Sequence, residues 1–328
     1  MKTNNDLYDV VIIGGGTTGL FAAQYSRMRG LTTKLIEAKP ALGGKVAQFF
    51  PEKYIYDIGA IPDIRGNALI TQMVQQANKH QPTIVKNEWV KAVHKSGGKF
   101  ELITDNTTHD AKTIIIATGM GSFEVASTQL DVNLHTYCNV HMTLQDLDQF
   151  KNKEIVIVSN NRVGLDWALT LEPITKKVYL INNRESFQHA SEHELKKLWS
   201  SSIELRINAQ VNNIDGNKEQ VNCIDITTSS NEQESVRVEH LLVYDGVKLH
   251  AAPFQQWALG TEKGRVHVDS AMATNVEGIY AAGDATIYPN KTMLIASGYA
   301  EAITAVNSAK KYIDPSSSNQ VYSTVIYK

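Results

Sequence analysis

Val10-Val11-Ile12-Ile13-Gly14-Gly15-Gly16-Thr17-Thr18-Gly19 leads into a run with helical spacing up to Arg29, and then into Thr33-Lys34-Leu35-Ile36-Glu37. The stretch reads as strand, glycine turn, helix and a second strand closed by an acid. Gly14 permits a tight turn, Gly16 lets backbone approach a pyrophosphate, and Gly19 lets the helix lie close to the sheet. The helix N-terminus then presents N–H groups and the positive end of its dipole to phosphates. Glu37 stands 18 residues after Gly19, where a carboxylate accepts hydrogen bonds from a ribose diol. A glycine turn alone is common. Flanked by apolar strands and followed by an acid at this distance, it specifies a dinucleotide site.

The pattern recurs further on, in damaged form. Ile155-Val156-Ile157-Val158 is again an apolar strand, Val163 to Leu171 again has helical spacing, and Lys177-Val178-Tyr179-Leu180-Ile181 is again a strand. Two copies of a nucleotide-binding unit imply two nucleotides. Where the second glycine turn is due, the chain reads Ser159-Asn160-Asn161-Arg162-Val163-Gly164 and keeps only the last small residue. Asparagine tolerates positive φ, so the turn is expected to survive. A side chain at Asn161 sits badly with a pyrophosphate lying against the backbone.

Composition sets the outer limits. The 328 residues suffice for two domains, and 42% hydrophobic with 20% charged residues is a globular balance. A net charge of -2 makes no case for nucleic acid. The polar opening residues exclude a secretory signal by composition, and no segment is long and apolar enough for a membrane span. Cys138 and Cys223 are the only cysteines and form no C-x-x-C pair, which argues against a disulfide framework or a cysteine zinc site and makes the cytoplasm the expected location.

Between the two units, Ala41-Leu42-Gly43-Gly44-Lys45 and Gln48 to Asp57 read as a shaped loop rather than a regular element. It either wraps a flat ring, with Phe50 or Tyr54 at its face, or packs as plain core. Asn67 to Lys79 has helical spacing. Late in the chain, Gly278-Ile279-Tyr280-Ala281-Ala282-Gly283-Asp284 ends a strand in glycine and aspartate beside a helix expected to start after Ser297. That arrangement aims Asp284 at a ribityl or ribose hydroxyl.

These pieces resemble the flavoprotein disulfide reductase superfamily and, within it, the thioredoxin-reductase-like ferredoxin NADP reductases of bacteria. The segments Pro51 to Asp57, Asp166-Trp167-Ala168-Leu169 and Asp314-Pro315 extend the resemblance over nearly the full length. It implies an α/β chain of two Rossmann-like three-layer dinucleotide-binding domains, the second inserted into the first: residues 1–119 and 245–328 for FAD, and 120–244 for NADPH or NADH. It also implies a homodimer whose tail covers a flavin, with ferredoxin or flavodoxin as electron acceptor. The FAD contacts carried over are Gly14, Gly16, Thr17, Thr18 and Gly19 at the phosphates, Glu37 at the ribose, then Lys45, Phe50, Val90, Phe123, Gly283, Asp284, Tyr322 and Thr324. For the second nucleotide they are Ser159, Asn161, Gly164 and Arg184, the last facing an adenosine 2'-phosphate. Phe50 stands where the family offers a tyrosine, and Lys45 where it favours glutamine.

Thioredoxin reductases proper pass electrons through a C-x-x-C in the inserted domain. The matching region here is Tyr137-Cys138-Asn139-Val140-His141, so dithiol chemistry is excluded. No residue presents itself as catalytic, since the flavin would carry the chemistry. The damaged second turn favours a different reading, an FAD-binding relay, sensor or interaction protein. Reduction of a small molecule such as a quinone is a third. His189 and His193 have the spacing of a helical metal pair without a third ligand, and Lys176, Lys177, Arg184, Lys196 and Lys197 form either a docking surface or a solubilising one.

Overall fold

The computed structural model of the chain describes residues 6–125, 137–244 and 246–318, without the side chains of residues 123–125 and 247. The chain divides into two compact units, Met1–Ser122 with Leu249–Lys328, and Phe123–Lys248.

In the first unit, β1 (Leu7–Ile13), β2 (Thr33–Glu37), β3 (Thr83–Lys86), β4 (Val90–Ser96), β5 (Lys99–Thr104) and β6 (Thr108–Ile116) form a sheet in the order β3-β2-β1-β6-β5-β4. β1, β2 and β3 run parallel, as do β1 and β6, whereas β4, β5 and β6 form an antiparallel meander. The strands at the parallel centre are unbroken apolar runs because both faces are covered. On one face, Val10, Ile12, Leu35 and Ile115 pack with Ala22 and Ala23 of α1 (Thr17–Met28) and Ala302, Ala305 and Val306 of α6 (Ile295–Ile313). On the other, Val11, Ile13, Ile36, Ile114 and Ile116 pack with Phe100 and Leu102 of the meander and with Phe254 and Trp257. Three layers result, and each buried aliphatic side chain contributes about 1.5–3 kcal/mol. The small residues of α6 let it lie close to α1 and the sheet. This helix begins at Ile295, earlier than expected, because Gly298 N–H already bonds Leu294 O at 3.1 Å and no side-chain cap is needed to start the turn.

The second unit repeats the parallel core. β7 (Val140–His141), β8 (Glu154–Val158), β9 (Lys177–Asn182), β10 (Glu204–Ile207), β11 (Gln210–Gly216), β12 (Val221–Thr227), β13 (Gln233–Arg237) and β14 (His240–Val243) supply two sheets. One has the parallel order β7-β14-β8-β9-β10, and the other is the antiparallel β11-β12-β13. Val156, Val158, Ile181, Leu241 and Val243 pack against Val211, Ile224, Ile226 and Val236 of the smaller sheet. Helix α4 (Arg162–Leu171) lies against β8 and β9. The first unit closes its sheet with β15 (Ile279–Ala281), parallel to β6.

Candidate functional site

The first turn is built by glycines that the geometry requires. Gly14 has φ +106° and donates its N–H to Ile36 O at 2.8 Å. A Cβ on Gly19 would overlap the Gly14 carbonyl oxygen, so the helix can approach the turn only without one. Glu37 fixes the middle of the turn: its Oε2 accepts from Gly15 N–H at 2.6 Å and its Oε1 from Lys39 N–H at 2.8 Å. A Cβ on Gly15 would stand 3.1 Å from that carboxylate and 2.6 Å from Leu42. Burial pushes the Glu37 carboxyl up from its ordinary range, with the N–H groups of Lys39 and Gly15 working against it.

The loop after Glu37 corrects the reading of an irregular segment. Residues Gly44–Phe49 form a short helix, α2, launched by Gly43 (φ +111°) and Gly44 (φ +55°). Two successive left-handed residues start it because the loop passes against the first turn: Gly43 N–H donates to Gly15 O at 2.8 Å, and a Cβ on Gly44 would lie 3.0 Å from Gly16 Cα.

At the same carboxyl end of the sheet, Gly283–Ala285 makes a 3-10 turn after β15. Gly283 has φ +76°, and a Cβ there would stand 2.6 Å from Thr18 Oγ1. Its N–H donates to Glu301 Oε2 at 2.6 Å. Glu301, on α6 and buried, also accepts from Tyr288 Oη at 2.6 Å and from the Lys291 ammonium. Burial and the Glu301 carboxylate push the Tyr288 phenol up to about 12. Asp284 accepts from Lys45 Nζ at 2.6 Å, so Lys45 is ion-paired rather than free. Phe50 is half-exposed beside Phe49, with Lys53 Nζ 5.9 Å from its ring centroid. Val90 is buried in the core with Ile13 and Ile36. Its neighbour Glu88 donates N–H to Glu37 O at 3.1 Å and sends its carboxylate to His109 Nε2 at 2.8 Å, while His109 Nδ1 faces the buried Lys34 ammonium at 3.0 Å. This polar chain anchors the end of β2 that carries Glu37. The Phe123 side chain, Tyr322 and Thr324 lie outside the described residues.

The first turn therefore brings Gly14, Gly16, Thr17, Thr18, Gly19 and Glu37 together, with Gly283 against Thr18 and Asp284 next in the chain. Among the described residues, the N–H groups of Gly16, Thr17 and Thr18 have no protein acceptor. Three N–H groups at a helix N-terminus, a cradle that a Cβ would fill and an acid at ribose distance fit the diphosphate and ribose of FAD.

The second turn has the same scaffold with different fittings. Ser159 N–H donates to Ile181 O at 2.9 Å, the counterpart of Gly14 to Ile36. None of Ser159, Asn160 and Asn161 adopts positive φ, contrary to the expectation for asparagine: Asn161 is extended at φ -137°, ψ 175°. Gly164 is retained because a Cβ there would overlap the Ser159 side chain. Asn182 takes the place of Glu37: its Oδ1 accepts from Arg184 N–H at 2.8 Å, as Glu37 does from Lys39. Arg184 is exposed, and its guanidinium has no partner among the described residues. His189 (φ +62°) precedes α5 (Glu192–Trp199), which Ser191 caps, so it does not share a helix with His193. No group of three metal-ligating residues occurs among the described residues. Of the five cations read as a patch, Lys176 and Lys177 are paired with Glu154 and Glu204, each at 2.6 Å.

Sequence reasoning missed three contributors. Glu301 was visible as an acid among the small residues of α6. Asn182 was visible as the last residue of the second copy's second strand, the position that Glu37 holds in the first. The backbone of Gln188, which crosses the second turn, left no sequence signal.

An uninterrupted glycine turn in one unit and an altered copy in a second, inserted unit define a two-nucleotide oxidoreductase architecture. The pattern of the pyridine nucleotide-disulphide oxidoreductases matches residues 8–309. The chain is 40% identical over 322 residues to ferredoxin–NADP reductase 1 of Listeria monocytogenes, covering 96% of both chains. It is likewise 40% identical over 336 residues to ferredoxin–NADP reductase 1 of Bacillus velezensis, covering 99% of this chain and 98% of that one. Among solved structures, the thioredoxin reductase of T. acidophilum has a TM-score of 0.69 at 23% identity, covering 95% of this chain and 99% of that one. That of Lactococcus lactis has 0.67 at 22%, covering 93% and 99%. The chain belongs to the pyridine nucleotide-disulphide oxidoreductase family.

Proposed function

We propose that the chain is an FAD-dependent oxidoreductase passing electrons from a reduced nicotinamide nucleotide to ferredoxin or flavodoxin. Its 40% identity, over 96% of its length, to a protein named ferredoxin–NADP reductase carries this reading. Two lone cysteines in place of a C-x-x-C remove the dithiol alternative. Bound FAD would supply the exchange between a two-electron donor and a one-electron acceptor.

This chain's residues bind and orient. The N–H groups of Gly16, Thr17 and Thr18 would hold the diphosphate, and Glu37 would accept from the ribose through lone pairs that its two backbone bonds leave free. Glu301 holds the Gly283 backbone, and with it the turn that carries Asp284. In the second unit, a neutral Asn182 where the first has Glu37, next to an Arg184 guanidinium with no partner among the described residues, suits a 2'-phosphate. NADPH is therefore the proposed donor rather than NADH. The same reading carries a homodimer and a cytoplasmic location, and it proposes Phe123, Tyr322 and Thr324 as further flavin contacts. Sedimentation of the holoprotein tests the dimer. No described helix is long and apolar enough to cross a membrane.

Anaerobic titration of the yellow protein with NADPH and NADH tests the function. Bleaching at one equivalent, followed by ferredoxin-dependent reduction of cytochrome c, is the expected result. A second reading, an electron relay that accepts no nicotinamide nucleotide, is favoured by the closed state of the second turn. It predicts a flavin that neither nucleotide bleaches but that photoreduction does.

A further inference from the structure

We propose that Asn161 is an internal competitor for the nucleotide's pyrophosphate, holding the second turn in a self-capped state that a nucleotide must open in order to bind. The inference rests on reading the second unit as a nicotinamide nucleotide site.

The three N–H groups left free in the first turn each have a counterpart in the second, and every counterpart is occupied. Asn161 N–H, matching Gly16, donates to Ser159 Oγ at 3.3 Å. Arg162 N–H, matching Thr17, donates to Gln188 O at 2.9 Å. Val163 N–H, matching Thr18, donates to Asn161 Oδ1 at 2.9 Å. Two of the occupants are not surface groups that yield freely, since Ser159 and Asn161 are both buried. The Gln188 segment is itself tied to the turn, its N–H donating to Asn160 O at 2.8 Å. Asn160 is held to one side, its Nδ2 donating to Asn183 Oδ1 at 3.3 Å.

Charge at this helix end is also used internally. Arg162, at the position of Thr17, places its guanidinium 2.7 Å from Glu194. Burial works to raise the Glu194 carboxyl, but N–H and O–H donors of Ser191 and the Arg162 charge hold it down at about 2. The pair leaves no net cation to draw a diphosphate in.

Asn161 is the occupant that sequence can remove without disturbing the scaffold. At φ -137° any residue is tolerated there, and the carboxamide oxygen is the acceptor that holds Val163 N–H. Its removal frees an N–H where a phosphate oxygen would lie. One capping bond corresponds to on the order of a fivefold change in affinity.

The test uses FAD-loaded full-length protein and NADP+ as a redox-silent probe, with dissociation constants from calorimetry for the wild type and for Asn161→Gly, Asn161→Ala and Asn161→Asp. Thermal unfolding confirms that each variant is folded. Asn161→Gly and Asn161→Ala are expected to bind NADP+ about fivefold more tightly than wild type. Asn161→Asp keeps the acceptor and adds a negative charge, so it should bind more weakly. Equal or weaker binding by the Gly and Ala variants overturns the inference, because the carboxamide would then be a bystander or a phosphate donor, while the enzyme reading stands if the wild type binds. Absence of binding in every variant, with NAD+ as well, removes both.

Discussion

The two turns, Gly14 to Gly19 and Ser159 to Gly164, share a backbone plan and differ in what they leave open. Each anchors its first residue to the neighbouring strand, at 2.8 Å for Gly14 to Ile36 and 2.9 Å for Ser159 to Ile181. Each closes its first helical turn on the third residue, Leu20 N–H to Gly16 O at 2.9 Å and Leu165 N–H to Asn161 O at 3.3 Å. Each secures the second strand's last residue by a bond from the residue two further on. Two side chains of the second turn, Ser159 and Asn161, and the Gln188 carbonyl then supply the acceptors that the first turn leaves to a ligand. A βαβ scaffold can thus survive the loss of its glycines, because its own side chains and a neighbouring carbonyl can satisfy the helix N-terminus.

The comparison breaks most sharply at Gly19. A Cβ there meets a backbone carbonyl that cannot move without unseating β1, so Gly19→Ala should cost about 4 kcal/mol or more and abolish flavin retention. The flavin-to-protein absorbance ratio and the melting temperature measure it, and a yellow variant of normal stability would refute the geometry. The equivalent change in the second turn meets a side chain instead. Gly164→Ala should cost about 2 kcal/mol, and Ser159→Gly in the same chain should recover most of it, giving a coupling above about 1 kcal/mol in a double-mutant cycle.

Acid should act with opposite signs on one group in each unit. In the second unit, burial and the neighbouring His240, 3.0 Å away, push His141 down to about 4. The unfolded chain therefore takes up the proton first, and stability contributed by this group is lost as pH falls from about 6.5 toward 4. At the first turn the raised Glu37 carboxyl has the reverse effect: its contribution is fully present below the ordinary carboxyl value and lost as pH rises through the folded one. His141→Asn should flatten the acid slope of the unfolding free energy by about 2 kcal/mol across that window. An unchanged slope would mean that the histidine pair is not the group responsible.

The smallest effects sharpen the contrast most. Asn161→Ala removes a cap and should cost about 1 kcal/mol. Gly16→Ala, at an ordinary φ of -73° with its nearest neighbour atom 3.9 Å from the added Cβ, should leave the apo protein within about 0.5 kcal/mol of wild type. The same change should weaken FAD retention, because the methyl group occupies the phosphate approach. Equilibrium dialysis against FAD, alongside denaturant unfolding, distinguishes the two effects.

Much of this was legible in the chain itself. Both strand–turn–helix units, the acid Glu37 that closes the second strand, the damaged state of Ser159 to Asn161 and the missing dithiol follow from residue type and spacing, because the steric limits of a tight turn act over a few residues. Helix α2 was not legible, since Gly43 and Gly44 look like loop residues until the first turn is seen against them. The early start of α6 was hidden for a related reason: an uncapped apolar first turn gives no polar signal.

What the sequence determined by itself is thus the pair of nucleotide folds and the chemistry that one of them lacks. The tertiary structure decided which backbone donors are free. Lys45 meets Asp284 across 239 positions of sequence, and Gln188 closes on Arg162 from beyond the next strand. Hydrogen bonds of that kind depend on where distant segments pack, and no local pattern of residues encodes them.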